Sequence, residues 1–272
     1  MKMKTGHGLA TVGCILCAIA SVAPGALPVA DSSLPCQPEQ LSVLIITGSN
    51  NHEWQSTTKV LRQACEQSGR FVVDVTLTPE TLTVDSISKY DVLVSNWNAF
   101  GKGNLRWGET AEKAVEDFVR KGKGLAAFHA GSASLHDWAA FQEILGGTWA
   151  KGTSHGARSS FTVTFPTEHP VTAGIKDFET NDELWYNLAN LHPSDSRKVL
   201  ATAYCEITKK QEPVALCTEY GKGRGFMLVL GHDAKALQNE GTSELLLNGI
   251  EWAASGAVCV NNDNIKSGEK RQ

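Results

Sequence analysis

Three histidines follow apolar runs of strand type, each on a loop that carries glycine. Ala126-Ala127-Phe128 leads into His129-Ala130-Gly131-Ser132, and Leu228-Val229-Leu230 leads into Gly231-His232-Asp233. The opening run Leu44-Ile45-Ile46 leads through Thr47-Gly48-Ser49-Asn50-Asn51 to His52-Glu53-Trp54. In an open α/β sheet the carboxyl ends of the strands line a common crevice where ligands bind. Imidazoles gathered there, with Glu53 and Asp233 beside two of them, suit proton transfer or metal binding better than packing.

His129 stands where a strand turns sharply toward a helix, the place of a nucleophile elbow. Histidine there serves as general base, general acid or metal ligand, or else caps the next helix. Ser132 and Ser134 lie beyond the tip of the turn and are poor nucleophile candidates. Asp233 orients His232 or caps the helix that follows. Lys151-Gly152-Thr153-Ser154-His155-Gly156-Ala157-Arg158 is a glycine-bracketed loop. Such loops approach ligands closely, which makes His155 a catalytic candidate and Arg158 a binder of anionic or hydroxyl-rich groups. Asp182-Glu183-Leu184-Trp185-Tyr186 sets carboxylates beside aromatic rings. Sugars stack on such rings while carboxylates bond their hydroxyls, and Glu183 is the first carboxylate candidate. Trp54, Trp97 and Asn98 are expected at the same sheet edge as substrate contacts: any single tryptophan reads more readily as core, and their joint occurrence at strand ends weakens that reading. His169 and His192 each precede a proline and serve turns, and His136 opens a helix.

The elements that must hold these residues alternate. Leu41–Thr47, Phe71–Leu77, Tyr90–Asn96 and Gly124–Phe128 are near-continuous apolar strands. Trp54–Gly69 and Thr110–Lys121 repeat apolar residues at helical spacing and stop at glycine. Thr83–Ser88 is a short connection or a single helical turn. His136–Leu145 and Thr242–Ala254 are further helices. Phe161–Phe165, Val199–Tyr204, Val214–Tyr220 and Gly225–Leu230 are further strands, with a hairpin turn at Tyr220-Gly221-Lys222-Gly223-Arg224. Continuous apolar strands between helices indicate an α/β fold with a mostly parallel sheet covered on both faces.

At 272 residues, 42% hydrophobic and 20% charged, the chain can bury one sizeable core and falls outside the disordered and membrane classes. A net charge of −4 and the absence of a basic run before the last residues argue against nucleic-acid binding. Lys2 and Lys4 followed by apolar Leu9–Val22 read as a secretory leader over 1–30, too short for a comfortable span; a short membrane anchor is the alternative. A linker at 31–40, one domain at 41–256 and a disordered tail at 257–272 complete the expected organisation. The mature protein would be secreted or periplasmic, free of the membrane once the leader is removed. Removing the leader takes away Cys14 and Cys17 and leaves Cys36, Cys65, Cys205, Cys217 and Cys259. That odd number leaves at least one thiol unpaired or bridging two chains. Cys205 with Cys217, across two strands, and Cys36 with Cys259, at the two ends of the domain, are candidate disulfides. No Cys-x-x-Cys remains, which argues against a thiolate zinc site.

Taken together these segments resemble the ThuA-like, or trehalose-utilisation, family. The resemblance is carried by Val43–Gly48 with Asn51-His52-Glu53-Trp54, Tyr90–Val94, Gly122–Ser132 with Phe128-His129-Ala130, Ser154-His155-Gly156, His169–Thr172, Asp182-Glu183-Leu184, Tyr220–Arg224 and Leu230-Gly231-His232-Asp233. It covers roughly Leu41 to Ala254. It implies a flavodoxin-like, class I glutamine amidotransferase-like three-layer sandwich. That fold normally carries cysteine at the elbow, where this chain has His129, so thiol-based glutamine hydrolysis is excluded. The late histidine–acid pair of that fold corresponds to His232-Asp233. The family's link to disaccharide and keto-sugar catabolism implies a small carbohydrate substrate.

Three functions remain open. One is acid–base chemistry on a disaccharide or keto-glycoside by His129, His155, His232 and Glu183, through isomerisation or glycoside cleavage. The second is a hydrolase dependent on a divalent metal held by His52, His129, His155 and His232 with Glu53 or Asp233. The third is a carbohydrate-binding domain without catalysis.

Overall fold

The first four strands form on apolar runs, the helices between them on amphipathic segments, and a two-residue strand follows. In order they are β1 (Leu41–Ile46), α1 (Trp54–Gln67), β2 (Phe71–Thr76), α2 (Val84–Ile87), β3 (Val92–Ser95), α3 (Glu109–Arg120), β4 (Gly124–Phe128), α4 (Ala139–Leu145) and β5 (Ser154–His155). Then come β6 (Ser159–Thr164), β7 (Phe178–Asp182), β8 (Trp185–Tyr186), β9 (Lys198–Cys205), β10 (Lys210–Tyr220), β11 (Gly223–Leu228), α5 (Ala234–Leu237) and α6 (Glu240–Ser255). The computed structural model describes residues 40–259 apart from Asn104, Ser134 and His136. The leader, Cys14, Cys17, Cys36, most of the linker and the tail beyond 259 lie outside the described residues, as do the readings of Ser134 and His136. Among the described residues no helix is long and apolar enough to cross a membrane.

Nine strands form one sheet in the order β2-β1-β3-β4-β11-β10-β9-β6-β7. β2, β1, β3, β4 and β11 are parallel neighbours. From β10 onward each neighbouring pair is antiparallel, so β9 and β7 share the direction of β11 and only β10 and β6 oppose it. Successive side chains of a strand face opposite sides, and here both sides are apolar. Val43 and Ile45 pack beneath α1 and α6 with Val92, Val94, Phe128 and Phe226. Leu44 and Ile46 pack beneath α3 and α4 with Leu93, Leu125, Met227 and Val229. This is the expected three-layer α/β sandwich, flavodoxin-like and glutamine amidotransferase-like. β7, with the two-stranded ladder of β5 and β8, was not expected.

The Tyr220–Arg224 turn has a structural task. A Cβ on Gly223 would stand 2.0 Å from the Val119 carbonyl oxygen, so only glycine fits against the end of α3. Arg224 then donates to the carbonyls of Trp252, Ala253 and Ala254 and satisfies the C-terminal turn of α6.

The expected Cys205–Cys217 disulfide is not formed: both thiols are free and buried, as is Cys65. The register is the reason. Cys205 sits opposite Lys210 and Cys217 opposite Lys198, which places the two sulfurs at opposite ends of the β9–β10 pair. Burial pushes the Cys217 thiol up to about 11 and Cys65 up to about 12, so both are inert at neutral pH. Cys259 is disulfide-bonded.

His169 serves its turn, as expected. Its Nδ1 accepts from the Val171 N–H, its ring packs 4.9 Å from that of Trp252, and burial with Lys198 nearby lowers its pKa to about 4. The folded protein keeps this ring neutral, while the unfolded chain protonates it near 6.5. Its contribution is therefore fully present above pH 6.5 and is lost as pH falls toward 4. His169→Asn keeps a capping side chain and removes the proton. Melting midpoints followed across this window should fall less steeply for the variant than for the wild type. Parallel curves would show that His169 carries none of the acid sensitivity.

Candidate functional site

Four loops bring His52, His129, His232 and Glu183 to the carboxyl edge of the sheet, those after β1, β4, β11 and β7, and β5 brings His155 beside them. His129 is set by β4. Its backbone lies in the left-handed region at φ 41°, a conformation that costs a non-glycine residue on the order of 1 kcal/mol. The turn it opens, His129–Ser132, packs so closely that a Cβ on Gly131 would stand 2.1 Å from the Ser95 carbonyl oxygen. The ring is 1% exposed, and its Nδ1 lies 2.7 Å from the Val229 carbonyl oxygen. A carbonyl only accepts, so Nδ1 carries the proton and Nε2 turns a bare lone pair toward the crevice. Burial, reinforced by His52, lowers its pKa well below the usual histidine value, so the ring is neutral at pH 7.

His52 lies edge-on to both other rings, with centroids 4.9 Å from His129 and 4.4 Å from His232. Its Nδ1 is 3.3 Å from the Asn50 Oδ1. Burial, then the neighbouring His232 and His155, lower its pKa to about 4. Asn98, buried at the end of β3, holds this loop to the elbow by donating to Asn50 Oδ1, Asn51 Oδ1 and the Ala130 carbonyl.

His232 follows Gly231, whose φ of 106° and contact with Leu237 and Phe128 demand glycine. His232 Nδ1 is 3.1 Å from Glu183 Oε2 and 3.3 Å from His129 Nε2. Glu183 Oε2 is also 3.8 Å from His129 Nε2, and Oε1 is 3.5 Å from His155 Nδ1. His52, His129, His232 and Glu183 each present one ligating atom, all within 4.8 Å of one another, and are the set able to hold a cation. His155 stands at the rim, 39% exposed, with its Nδ1 donating to the Gly156 carbonyl at 2.8 Å.

Above this cluster opens a pocket of about 130 Å³, walled by Phe100, Trp149 and Trp185 and floored by His52, His129 and Glu183, with His155 at its rim. Trp149 and Trp185 meet at 80° with centroids 5.0 Å apart.

The other expected residues are not brought to it. Glu53 is exposed, and its carbonyl accepts the first N–H groups of α1. Trp54 begins α1 with its carbonyl 3.4 Å from Asn96 Nδ2. Trp97 is buried against Trp107 on the α3 side of the sheet. Arg158 forms a two-pronged ion pair with Asp233, which also caps α5 by accepting from the Ala236 N–H. In the metal-ligand set Glu183 therefore takes the place considered for Glu53 or Asp233, and His155 stands outside the set.

Two kinds of contributor were not read from sequence. Phe100 lies past the Trp97-Asn98 pair expected after the third strand, and Trp149 follows the helix α4 rather than a strand. Asp182, fully buried, accepts from the backbone N–H of Gly231 at 2.7 Å, of Glu183 at 2.8 Å and of His232 at 3.3 Å. Burial raises its pKa even against these three hydrogen bonds.

The whole described domain matches one family. The family model ThuA, described as trehalose utilisation, fits residues 42–253. This chain belongs to the ThuA family. A ThuA-like protein of Parabacteroides merdae is similar at 28% identity and a TM-score of 0.71, over 82% of this chain and 93% of that one. A ThuA-like protein of Bacteroides uniformis is similar at 18% identity and a TM-score of 0.56, over 83% and 98%. A β-galactosidase of Rahnella sp. R3 shares 15% identity at a TM-score of 0.53, over 84% of this chain and 31% of that one, a likeness of fold alone. None of the curated proteins matches the chain.

Asp182→Ala should strand the Gly231, Glu183 and His232 amides and lower the unfolding free energy by about 3 kcal/mol, with Asp182→Asn losing less. Urea denaturation measures this. A loss below about 0.5 kcal/mol would mean that the amides find other acceptors.

Proposed function

We propose that this ThuA-family protein is an enzyme of carbohydrate catabolism that moves a proton at the carbon beside a sugar carbonyl. Its substrate is a disaccharide or keto-glycoside, and the outcome is isomerisation or glycoside cleavage. The observation that carries this reading is Glu183, a carboxylate within 4.0 Å of His129, His155 and His232 on an aromatic-walled floor. Aromatic faces take the C–H face of a sugar ring. A carboxylate and imidazoles with free lone pairs take and return the proton, without a nucleophile. His155, half in solvent at the rim, exchanges that proton with water. Glu183 links it to His129 and His232. The family's description as trehalose utilisation supports the substrate class. The basic start and the apolar run Leu9–Val22 support a secreted or periplasmic location.

The test is incubation in D₂O with a panel of disaccharides and their keto derivatives, read by NMR and mass spectrometry. Deuterium should enter the carbon beside the carbonyl of one class. Glu183→Gln and His155→Ala should each slow this by about 100-fold or more. No exchange and no product across the panel would overturn the reading, as would unchanged exchange in Glu183→Gln.

A further inference from the structure

We propose that the floor of this pocket is a binding site for one divalent first-row transition cation of the zinc class, held by His52, His129, His232 and Glu183. This deepens the reading above by naming what the floor holds, but its geometry stands without any substrate. Zinc-type bonds to imidazole nitrogen and carboxylate oxygen are about 2.0–2.2 Å, which sets the edge of a tetrahedral ligand shell at about 3.4 Å. The separations among His232 Nδ1, Glu183 Oε2 and His129 Nε2 are 3.1, 3.3 and 3.8 Å. They bracket that edge. The fourth residue, His52, keeps its ligating atom within 4.8 Å of the other three.

The outer atoms of the rings agree with this. A ligating histidine donates its second nitrogen to a carbonyl or carboxylate, which fixes tautomer and direction. His129 Nδ1–H does so to the Val229 carbonyl at 2.7 Å. His52 Nδ1 faces the Asn50 amide oxygen, itself held by Asn98. Each of these two rings has its other nitrogen left over.

Protons alone satisfy the cluster poorly. A hydrogen on His232 Nδ1 serves either Glu183 Oε2 or His129 Nε2, and the other acceptor is left without a donor beside a 1% exposed ring. One cation satisfies every inward atom at once. Imidazole with a single carboxylate selects zinc-class ions over magnesium or calcium, which prefer oxygen shells. Three of the four groups also line the pocket, so the ion would meet a carbonyl or hydroxyl oxygen entering it.

The experiment uses the full chain, purified without chelator or histidine tag. Elemental mass spectrometry should find about one equivalent of such an ion. Chelator-treated protein should bind Co(II) with the visible absorption bands of a low-symmetry site, and Zn(II) should raise its melting midpoint. His232→Ala and His52→Ala should each weaken Co(II) binding by more than about 100-fold, whereas His155→Ala, on the same rim, should not. Should His232→Ala fail to fold, His52→Ala, on a half-exposed loop, carries the test. No stoichiometric metal, together with neither Co(II) bands nor a Zn(II) shift, overturns the inference. So does full Co(II) affinity in both ligand variants. Deuterium exchange with no metal bound by any of these measures would sink the metal and leave the sugar chemistry standing, while bound metal without exchange would do the reverse.

Discussion

The site depends on one buried carboxylate. β7 stands four places from β11 in the sheet, at its far edge. The end of β7 nevertheless reaches the crevice, and Asp182 fastens it there through the amides of Gly231 and His232. The same carboxylate holds the amide of Glu183. One side chain thus fixes the histidine contributed by the parallel half of the sheet and the carboxylate contributed by the antiparallel half. Arg158 and Asp233 brace the same corner from outside, tying the start of β6 to the cap of α5. Without these ties Glu183 would belong to a surface loop.

What is assembled does little for stability. His129 occupies a left-handed backbone, and burial strips hydration from both it and His52 and holds them neutral. Local rules broken in one place, with the surrounding core over-determining the geometry, mark a functional site. The Gly131 contact with Ser95 and the Asn98 bridge supply that over-determination, because neither loop can relax without the other.

The parallel core was legible because buried strands announce themselves as short apolar runs bounded by glycine. Val92–Ser95 and Gly124–Phe128 are both fully buried. The histidines were legible because they close such runs. β7 was not, since Phe178-Glu179-Thr180-Asn181-Asp182 is polar apart from its first residue and pairs only with β6. The role of Asp182 was hidden for a related reason: its partners are backbone amides some fifty residues away. Glu53 and Asp233 adjoin histidines in sequence but face elsewhere, because neighbours on a turn point in different directions. The tryptophans looked alike as sequence. Trp97 went into the core, and Trp185 joined Trp149 at the pocket because the short ladder of β5 and β8 holds His155 opposite Trp185.

The charge arrangement narrows what the crevice can do. Asp233 is neutralised by Arg158, and Asp182 is surrounded by amides. Among the described residues, the ion-pairing groups within reach of Glu183 are His129, His155 and His232. Two of the three inner rings, His52 and His129, are kept neutral by burial. A carboxylate beside these two neutral imidazoles favours whatever brings positive charge, either a proton delivered with the substrate or a cation. The two compete for the same lone pairs. If a cation takes those of His52, His129 and His232, proton traffic falls to His155, which stands half-exposed at the rim with its Nδ1 already committed to Gly156. The division of labour between floor and rim therefore follows from which nitrogens the backbone has already claimed.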